Sequence, residues 1–357
     1  MKEMTSKERC LTVINGGIAD FVPIVPQAFM FATETAGMKI SNINRSGKNM
    51  AKAHVISQEK YGYDCCVIDF DDATIAEAIG SSVIFRDNEP VTVDEHNPFW
   101  KNLRDVYDTP MPDLLNSGRI CHWLEATECL NEMIGDHVYI MGRADQGPLS
   151  VASLLRGTEN FMMDLLTEDK KVIADAIDFC RRVGVEFAKL QKNAGAHITS
   201  IGDALAGPNL ISPEMYLEFA WEPEKKYVEE IQACGIPLSL HICGDTNSII
   251  KRMGETGAKV IEIDWKLDMK MAREVLPETT VLMGNIDPSF PLVLGTEADV
   301  EQAVERVIVA TRGKGLFMSS GCAMGRNTPP ANFKSMIAAT KKYGAYERIM
   351  ELQNNLK

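Results

Sequence analysis

The stretch IPLSLHICG, residues 236–244, is a short apolar run that turns polar at its carboxyl end. Nearly continuous apolar residues over this length are typical of a strand that is buried on both faces. Seven further runs of the same kind occur along the chain: FVPIVPQAFMF from Phe21, DCCVIDFD from Asp64, HVYIMGRAD from His137, HITSIGDA from His197, AKVIEIDW from Ala258, TVLMGNID from Thr280 and GLFMSSGC from Gly315. The sequence therefore predicts eight buried strands.

Longer segments of helical periodicity separate these runs, for example SPEMYLEFAWEPEKKYVEEIQAC from Ser212. Strands that alternate with helices predict the α/β class, here a single (β/α)8 TIM barrel over residues 1–357 with an N-terminal extension. A doubly wound open sheet is the alternative, and the lack of a G-x-G-x-x-G motif after the first strand disfavours it. Residues 79–136 read as an insertion after strand two that covers the barrel mouth. The alternative is that they form a small separate subdomain.

The composition of the chain limits the kinds of partner and compartment that we expect for it. The 357 residues carry a formal charge of −13, which disfavours nucleic acid and anionic membrane surfaces. No segment reaches the roughly 18 apolar residues of a membrane span, and the N-terminus lacks the apolar core of a signal peptide. Nine cysteines without secretory features indicate a reducing compartment, so we expect a cytoplasmic protein.

Polar residues gather where the predicted strands end. In a barrel these ends line one shared site. They are Asp69, Asp71 and Asp72 for the second strand, Arg143, Asp145 and Gln146 for the third, Asp203 for the fourth, His241 and Cys243 for the fifth, Glu262 and Asp264 for the sixth, Asn285 and Asp287 for the seventh, and Ser319, Ser320 and Cys322 for the eighth.

Three of these residues suit a metal ion. His241 and Cys243 are two positions apart, so on an extended strand they project to the same face, and a barrel brings Cys322 to the same mouth. Two thiolates and an imidazole favour Zn²⁺, and three protein ligands leave the open position that marks a catalytic zinc. The alternative is a chance H-x-C pair. The other seven cysteines read as structural packing residues, with Cys65 and Cys66 expected to be buried thiols.

Four motifs carry a family resemblance: LHICGDT from Leu240, MGNIDP from Met283, the segment GDALAGPNLISPEMYLEFAWEPEKK from Gly202, and SSGCAMGRNTPPANFKSMIAA from Ser319. The chain resembles the uroporphyrinogen decarboxylase superfamily and, within it, the zinc-dependent corrinoid methyltransferases of the methylcobalamin:coenzyme M type. The resemblance implies a barrel, zinc on His241, Cys243 and Cys322, and methyl transfer to or from a corrinoid. The chain lacks the D-x-H-x-x-G signature of a cobalamin-binding domain, so the corrinoid is expected on a small partner protein. The sequence is also compatible with a homo-oligomer.

The remaining strand-end residues are given supporting roles. Positioning or catalytic roles are predicted for Asp203, Glu262, Asn285 and Asp287. Substrate-binding roles are predicted for Asp71, Asp145, Asp264 and Arg326. Four carboxylates, those of Asp203, Glu262, Asp264 and Asp287, are candidate partners of His241 or a fourth ligand. For each carboxylate a solvated or capping role is the alternative, and Arg326 has the alternative of an ordinary surface charge.

Three other functions stay open. A uroporphyrinogen decarboxylase binds a substrate rich in carboxylates and needs arginines after the first strand, but this chain has none between Arg9 and Arg45. A first methyltransferase would take its methyl group from a methoxyarene, a methylamine or a methylthiol. A non-catalytic corrinoid-binding protein would have no need of an open metal site.

Overall fold

The computed structural model describes residues 3–69 and 71–354, and its centre is a parallel sheet. Its strands are β1 Cys65–Val67, β2 Val83–Ile84, β3 Thr92–Val93, β4 Tyr139–Gln146, β5 Ile198–Gly202, β6 Leu238–His241, β7 Val260–Glu262, β8 Val281–Ile286 and β9 Leu316–Ser320. The sheet order is β1-β4-β5-β6-β7-β8-β9, with every neighbouring pair parallel, and β2 and β3 form a separate antiparallel hairpin. The predicted α/β fold is confirmed.

Residues 23–25 occupy the eighth position and close the barrel. Ile24 pairs in parallel with Met318 of β9, and its carbonyl accepts a hydrogen bond of 2.8 Å from the amide of Asp64, next to β1. Pro23 and Pro26 lack the amide hydrogen that a regular strand donates, so the segment forms bridges rather than a strand. The predicted strand from Phe21 is therefore wrong in extent, because a helix already begins at Phe29.

Helices surround the sheet. They are α1 Ser6–Ile14, α2 Phe29–Thr35, α3 Ile40–Ile43, α4 Gly47–Tyr61, α5 Thr74–Ile79, α6 Ile120–Ile134, α7 Pro148–Arg156, α8 Thr158–Thr167, α9 Lys170–Asn193, α10 Pro213–Met215, α11 Trp221–Ala233, α12 Ile250–Glu255, α13 Met269–Val275, α14 Glu297–Thr311, α15 Pro330–Tyr343 and α16 Tyr346–Asn354, with 3₁₀ turns at Leu103–Asp108 and Ala204–Ala206 and a π turn at Tyr216–Ala220. Across residues 3–69 and 71–354, no helix combines the length and apolarity that crossing a membrane requires.

The barrel interior is apolar at its lower levels. One buried cluster contains alternate residues of the strands, including Cys65, Val67, Val260 and Met283, and it is distinct from the larger core between the sheet and the helices. Because strand side chains alternate with a period of two, Asp69 and Glu262 continue the same inward-facing rows. The interior thus changes from apolar to polar toward the carboxyl ends of the strands.

The N-terminal helix α1 closes the opposite end of the barrel. Arg9 donates to Asp20 through two nitrogens, at 2.6 and 2.8 Å, and to Asp64 at 2.5 Å. Asp64 also accepts hydrogen bonds from the Ser6 hydroxyl and the Ile24 amide. The predicted N-terminal extension is therefore joined to the start of β1 by a buried network of ion pairs.

The segment predicted as an insertion contains the β2–β3 hairpin, the 3₁₀ turn Leu103–Asp108 and helix α6. Helix α6 packs against α4 and α9 and leads into β4, so it serves as a crossover helix of the barrel. Arg119, immediately before α6, forms buried ion pairs of 2.6 Å with both Asp71 and Glu77. These contacts join the segment to the loop that follows β1, through Asp71, and to helix α5, through Glu77.

Candidate metal centre

Three metal-binding side chains converge at the carboxyl ends of β6 and β9. His241 ends β6, Cys243 follows two residues later, and Cys322 lies two residues beyond β9. One ligand atom from each lies within 4.8 Å of the others, and Nε2 of His241 is 3.2 Å from Sγ of Cys243. His241 is buried and both cysteines are half-buried. We call these three residues the metal group.

The orientation of the His241 ring is fixed by the main chain. Nδ1 lies 3.2 Å from the backbone carbonyl oxygen of Glu262 on the neighbouring strand β7. A carbonyl oxygen only accepts hydrogen bonds, so we assign the ring proton to Nδ1, which leaves the Nε2 lone pair directed toward the cysteines. The sequence offers four carboxylates as candidate partners of His241, that of Glu262 among them, and the contact is made by the Glu262 carbonyl.

The two thiols differ in acidity. The hydrogen bond from Cys322 lowers the pKa of Cys243, and the positive charge of Arg143 acts in the same direction. The hydrogen bond to Cys243 and burial raise the pKa of Cys322 to about 12. A divalent cation that binds both sulfurs would displace the protons of the two thiols. The donor set of one imidazole nitrogen and two sulfurs suits zinc and supplies three ligands.

Below and beside the metal group lies a layer of buried polar residues, which we call the polar layer: Asp69, Arg143, Ser200, Ser239 and Glu262, the last of which is the register partner of His241. Arg143 Nε is 2.9 Å from Asp69 Oδ2, and Nη1 donates to the Ser200 hydroxyl at 3.0 Å. Both serine hydroxyls donate to Glu262 Oε1, at 2.8 and 2.9 Å. Within the described residues, Oδ1 of Asp69 and Oε2 of Glu262 have no hydrogen-bond partner.

Several residues predicted to support the site hold the backbone in place. Asp203 accepts hydrogen bonds from the Ser150 amide and hydroxyl at the start of α7. Asp264 accepts from the amide of Gly244 at 2.8 Å, which fixes the turn that carries Cys243. The Asn285 side chain donates to the carbonyls of Asp264 and Leu267, at 3.2 and 2.7 Å.

Asp287 faces away from the polar layer. Its carboxylate accepts from the amides of Ser289 and Phe290 in the turn after β8. Together with Asn285, it lines a cavity of about 420 Å³ that reaches Trp265 and helix α14. The geometry therefore gives Asp287 a turn-forming role at the edge of the mouth.

The residues predicted to bind substrate are placed differently from one another. Both carboxylate oxygens of Asp71 are taken by Arg119, at 2.6 and 3.0 Å. Arg326 is partly exposed and pairs with Glu34 at 2.8 Å. Asp145 is buried at a positive φ of 58°, and it accepts from the Ile75 amide through Oδ2 while Oδ1 lacks a hydrogen-bond partner among the described residues. Of the two aspartates in this set, Asp145 has a carboxylate oxygen without a hydrogen-bond partner among the described residues, whereas both oxygens of Asp71 are occupied.

Sequence reasoning missed the polar layer as a unit. Asp69 and Arg143 were noted as strand-end residues without a role, and Ser200 and Ser239 were not noted. The available signal was strand periodicity, because Ser239 lies two residues before His241 and Asp69 two residues after Val67. An inward-facing row that turns from apolar to polar marks the depth at which a barrel site begins.

Comparisons with known proteins agree over nearly the whole chain. The family model for uroporphyrinogen decarboxylase (URO-D) matches residues 5–343. The methylcobamide:CoM methyltransferase MtbA of Methanosarcina mazei is 30% identical over 347 residues, covering 96% of this chain and 99% of that protein. A methylated-thiol–coenzyme M methyltransferase of the same organism is 28% identical over 350 residues, covering 96% and 90%. A solved structure of a methyltransferase from Methanosarcina mazei matches with a TM-score of 0.87 at 25% identity, covering 96% and 99%.

Proposed function

The chain belongs to the uroporphyrinogen decarboxylase family, and on that premise we propose that it is a zinc-dependent methyltransferase. It moves a methyl group between a corrinoid, carried by a separate small protein, and a small thiol or methylated compound. The observation that supports this most is the convergence of one imidazole and two sulfurs within 4.8 Å at the barrel mouth. Relatives named as methylcobamide:CoM and methylated-thiol methyltransferases support the same reaction class.

The residues of the metal group would hold zinc through Nε2 of His241 and the sulfurs of Cys243 and Cys322. When bound, zinc lowers the pKa of a substrate thiol and acts as a Lewis acid on the atom that bears the methyl group. The chain prepares the site before any ligand arrives. The Glu262 carbonyl orients the imidazole, and Asp264 holds the turn of Cys243 through the Gly244 amide. The polar layer forms a floor that separates the metal group from the apolar interior.

The decarboxylase alternative is disfavoured by the arginines. Arg119 and Arg143 are both buried and already paired with carboxylates, Arg119 with Asp71 and Arg143 with Asp69. The segment after residues 23–25 contains no arginine before Arg45. A substrate with many carboxylates would find no free guanidinium in these positions. A methylthiol donor remains the second candidate, because one relative is named as a methylated-thiol methyltransferase.

Cysteine chemistry supports a cytoplasmic location as part of the proposal. All nine cysteines are free, and Cys121 is exposed. Free and accessible thiols persist in a reducing compartment. The partner protein with its corrinoid would be met there.

The test combines metal analysis with methyl transfer. Purified protein is assayed for zinc content, and the absorbance of methylcobalamin is followed with a panel of thiols and methoxyarenes. Wild type should hold about one zinc and demethylate methylcobalamin, whereas Cys243→Ser and Cys322→Ser should lose both properties. Cys121→Ser, on the outer surface of α6, is the matched control and should retain both. Full activity of metal-free protein would contradict the proposal, and carbon dioxide release from a porphyrinogen would favour the decarboxylase.

A further inference from the structure

The loop after β8, residues 287–295, is held in shape by contacts within the chain. The Asp287 carboxylate accepts hydrogen bonds from two backbone amides of its first turn. The side chain of Asn332, on α15, donates to the carbonyls of Leu292 and Gly295, at 3.0 and 2.9 Å. The Leu292 side chain is fully buried. The loop therefore presents its remaining side chains from a fixed backbone.

Two large apolar side chains of this loop are exposed. Phe290 is 55% exposed, and Leu294 is 77% exposed, the highest value among the large apolar residues of the described chain. The Leu294 amide donates to the carbonyl of Ser289 at 2.9 Å, which brings it next to Phe290. Trp265, in the loop after β7, is 42% exposed and lines the same cavity of about 420 Å³ as Phe290. We call Trp265, Phe290 and Leu294 the apolar patch.

The apolar patch borders the metal group. His241 ends β6 and Cys322 follows β9, and in the strand order β6-β7-β8-β9 the loops that carry the patch lie between these two ligands. The contact is close, because a Cβ placed on Gly321, the neighbour of Cys322, would lie 2.4 Å from the Trp265 backbone nitrogen. The patch is thus part of the mouth without being part of the metal group.

Charged residues surround the apolar patch. Lys266, Asp268 and Arg306 line the same cavity, and the Lys266 ammonium lies 5.4 Å from the centre of the Trp265 ring. Across the described residues, neither cation forms an ion pair. An apolar centre with a polar rim is the anatomy of a protein–protein interface, and tryptophan is enriched among the residues that contribute most to binding there. Adjacent exposed apolar side chains on a fixed loop mark such a contact surface.

We propose that the apolar patch is the docking surface for the small protein that carries the corrinoid. The inference rests on the proposed methyl-transfer function and names where its partner binds. Reacting atoms must approach to about 3–3.5 Å, so the partner has to contact the mouth beside the metal group. A second copy of this chain on the patch would cover that mouth and exclude the corrinoid, which makes the corrinoid protein the occupant.

The experiment compares two methyl donors with zinc-loaded protein and 2-mercaptoethanesulfonate as the acceptor. One donor is free methylcobalamin, and the other is methylcobalamin bound to a purified small protein with the D-x-H-x-x-G signature. Phe290→Glu and Leu294→Glu should each raise the KM for the protein-bound donor at least tenfold, because each places a charge in an apolar interface. Transfer from free methylcobalamin should stay within twofold of wild type. Leu294→Met keeps the apolar character and should retain the wild-type KM.

Leu166→Glu is the matched control. Leu166 is 69% exposed on the outer helix α8, so the variant adds the same charge at another apolar surface position. It should leave both donors unaffected. An equal rise in KM in this control would assign the effect to net charge and overturn the docking surface. Loss of transfer from free methylcobalamin in the patch variants would assign these residues to the metal site and overturn it as well.

The remaining outcomes separate this inference from the proposed function. Transfer from free methylcobalamin alone, or an unchanged KM in the patch variants, would leave the methyltransferase function standing while the docking surface fails. Light scattering tests the second copy, since a wild-type dimer that Phe290→Glu converts to a monomer would overturn the proposal. Zinc-loaded wild type that accepts a methyl group from neither donor would count against the proposed function itself.

Discussion

Strand β1 has an aspartate beyond each of its ends, and the two are bonded very differently. Asp64, just before the strand, accepts hydrogen bonds from Ser6, Arg9 and Ile24. Asp69, two residues after the strand, faces Arg143 and keeps one oxygen without a hydrogen-bond partner in the described chain. Both carboxylates are buried beside an arginine. Asp64 at the amino end of the barrel thus has hydrogen-bond partners for both carboxylate oxygens, whereas Asp69 at the carboxyl end, where barrel sites are located, keeps one oxygen available.

The largest effect should come from breaking the completed network. Asp64→Asn removes the charge that faces Arg9 at 2.5 Å, where both side chains are no more than 5% exposed. Loss of one member of a buried ion pair costs several kcal/mol, so we expect the free energy of unfolding to decrease by about 3 kcal/mol. Urea denaturation measures this. The exposed pair of Lys39 and Asp87 supplies the control, because Lys39→Met should cost less than about 1 kcal/mol.

The next effect concerns zinc at the carboxyl end. Zinc bound to the metal group would connect the loops after β6 and β9 and should stabilise only the folded protein. At a free zinc concentration 100 times the Kd, the gain is about 2.7 kcal/mol. Thermal unfolding with and without a chelator tests this, and Cys322→Ser should abolish the difference. If zinc stabilised Cys322→Ser as strongly as wild type, the metal would be bound elsewhere.

A smaller change in stability is expected from the matched substitution at the other end of β1. Asp69→Asn removes a charge from a layer that holds two carboxylates for one guanidinium. Stability should change by less than about 1 kcal/mol, or rise, because the lost attraction is offset by a lower desolvation cost. Methyl transfer should fall at least tenfold, since the floor beneath the metal group is altered. A loss of stability equal to that of Asp64→Asn would erase the contrast between the two ends.

The smallest effect is a dependence on pH. Burial raises the pKa of Asp69 well above its ordinary value, with Arg143 opposing the shift. A carboxyl group whose pKa is raised by folding binds its proton more tightly in the folded state, so its contribution to stability declines as pH rises above about 3.9. Wild type should therefore lose stability relative to Asp69→Asn between pH 4 and pH 7. If the difference in unfolding free energy between the two proteins stayed constant over this pH range, or changed in favour of wild type, the prediction would be contradicted.

Much of the fold could be predicted from apolar runs alone. Seven of the predicted runs contain the strands of the sheet, because burial on both faces leaves a continuous apolar signature. The run from Phe21 was misjudged in extent, since Pro23 and Pro26 prevent a regular strand while still allowing Ile24 to bridge its neighbours. Apolar character predicts burial there, but the number of available amide donors decides the secondary structure.

The site was predicted unevenly, for a physical reason. The metal group followed from a spacing of two residues and from the shared end of the barrel, both of which are local or fold-level rules. The roles of the carboxylates depend on partners distant in sequence. Asp203 contacts Ser150 and Asp71 contacts Arg119, and neither partner can be read from the strand ends. Such pairings become visible only when the chain is folded.

The contact between His241 and the carbonyl of Glu262 has a consequence for divergence of the sequence. The ring is oriented by a main-chain atom that every amino acid possesses, so substitutions at position 262 can leave the imidazole in place. The Glu262 side chain has a separate set of contacts, because its carboxylate accepts hydrogen bonds from the Ser200 and Ser239 hydroxyls. One residue therefore contributes twice to the barrel mouth, and mutation can alter the polarity of the cavity floor without reorienting the imidazole.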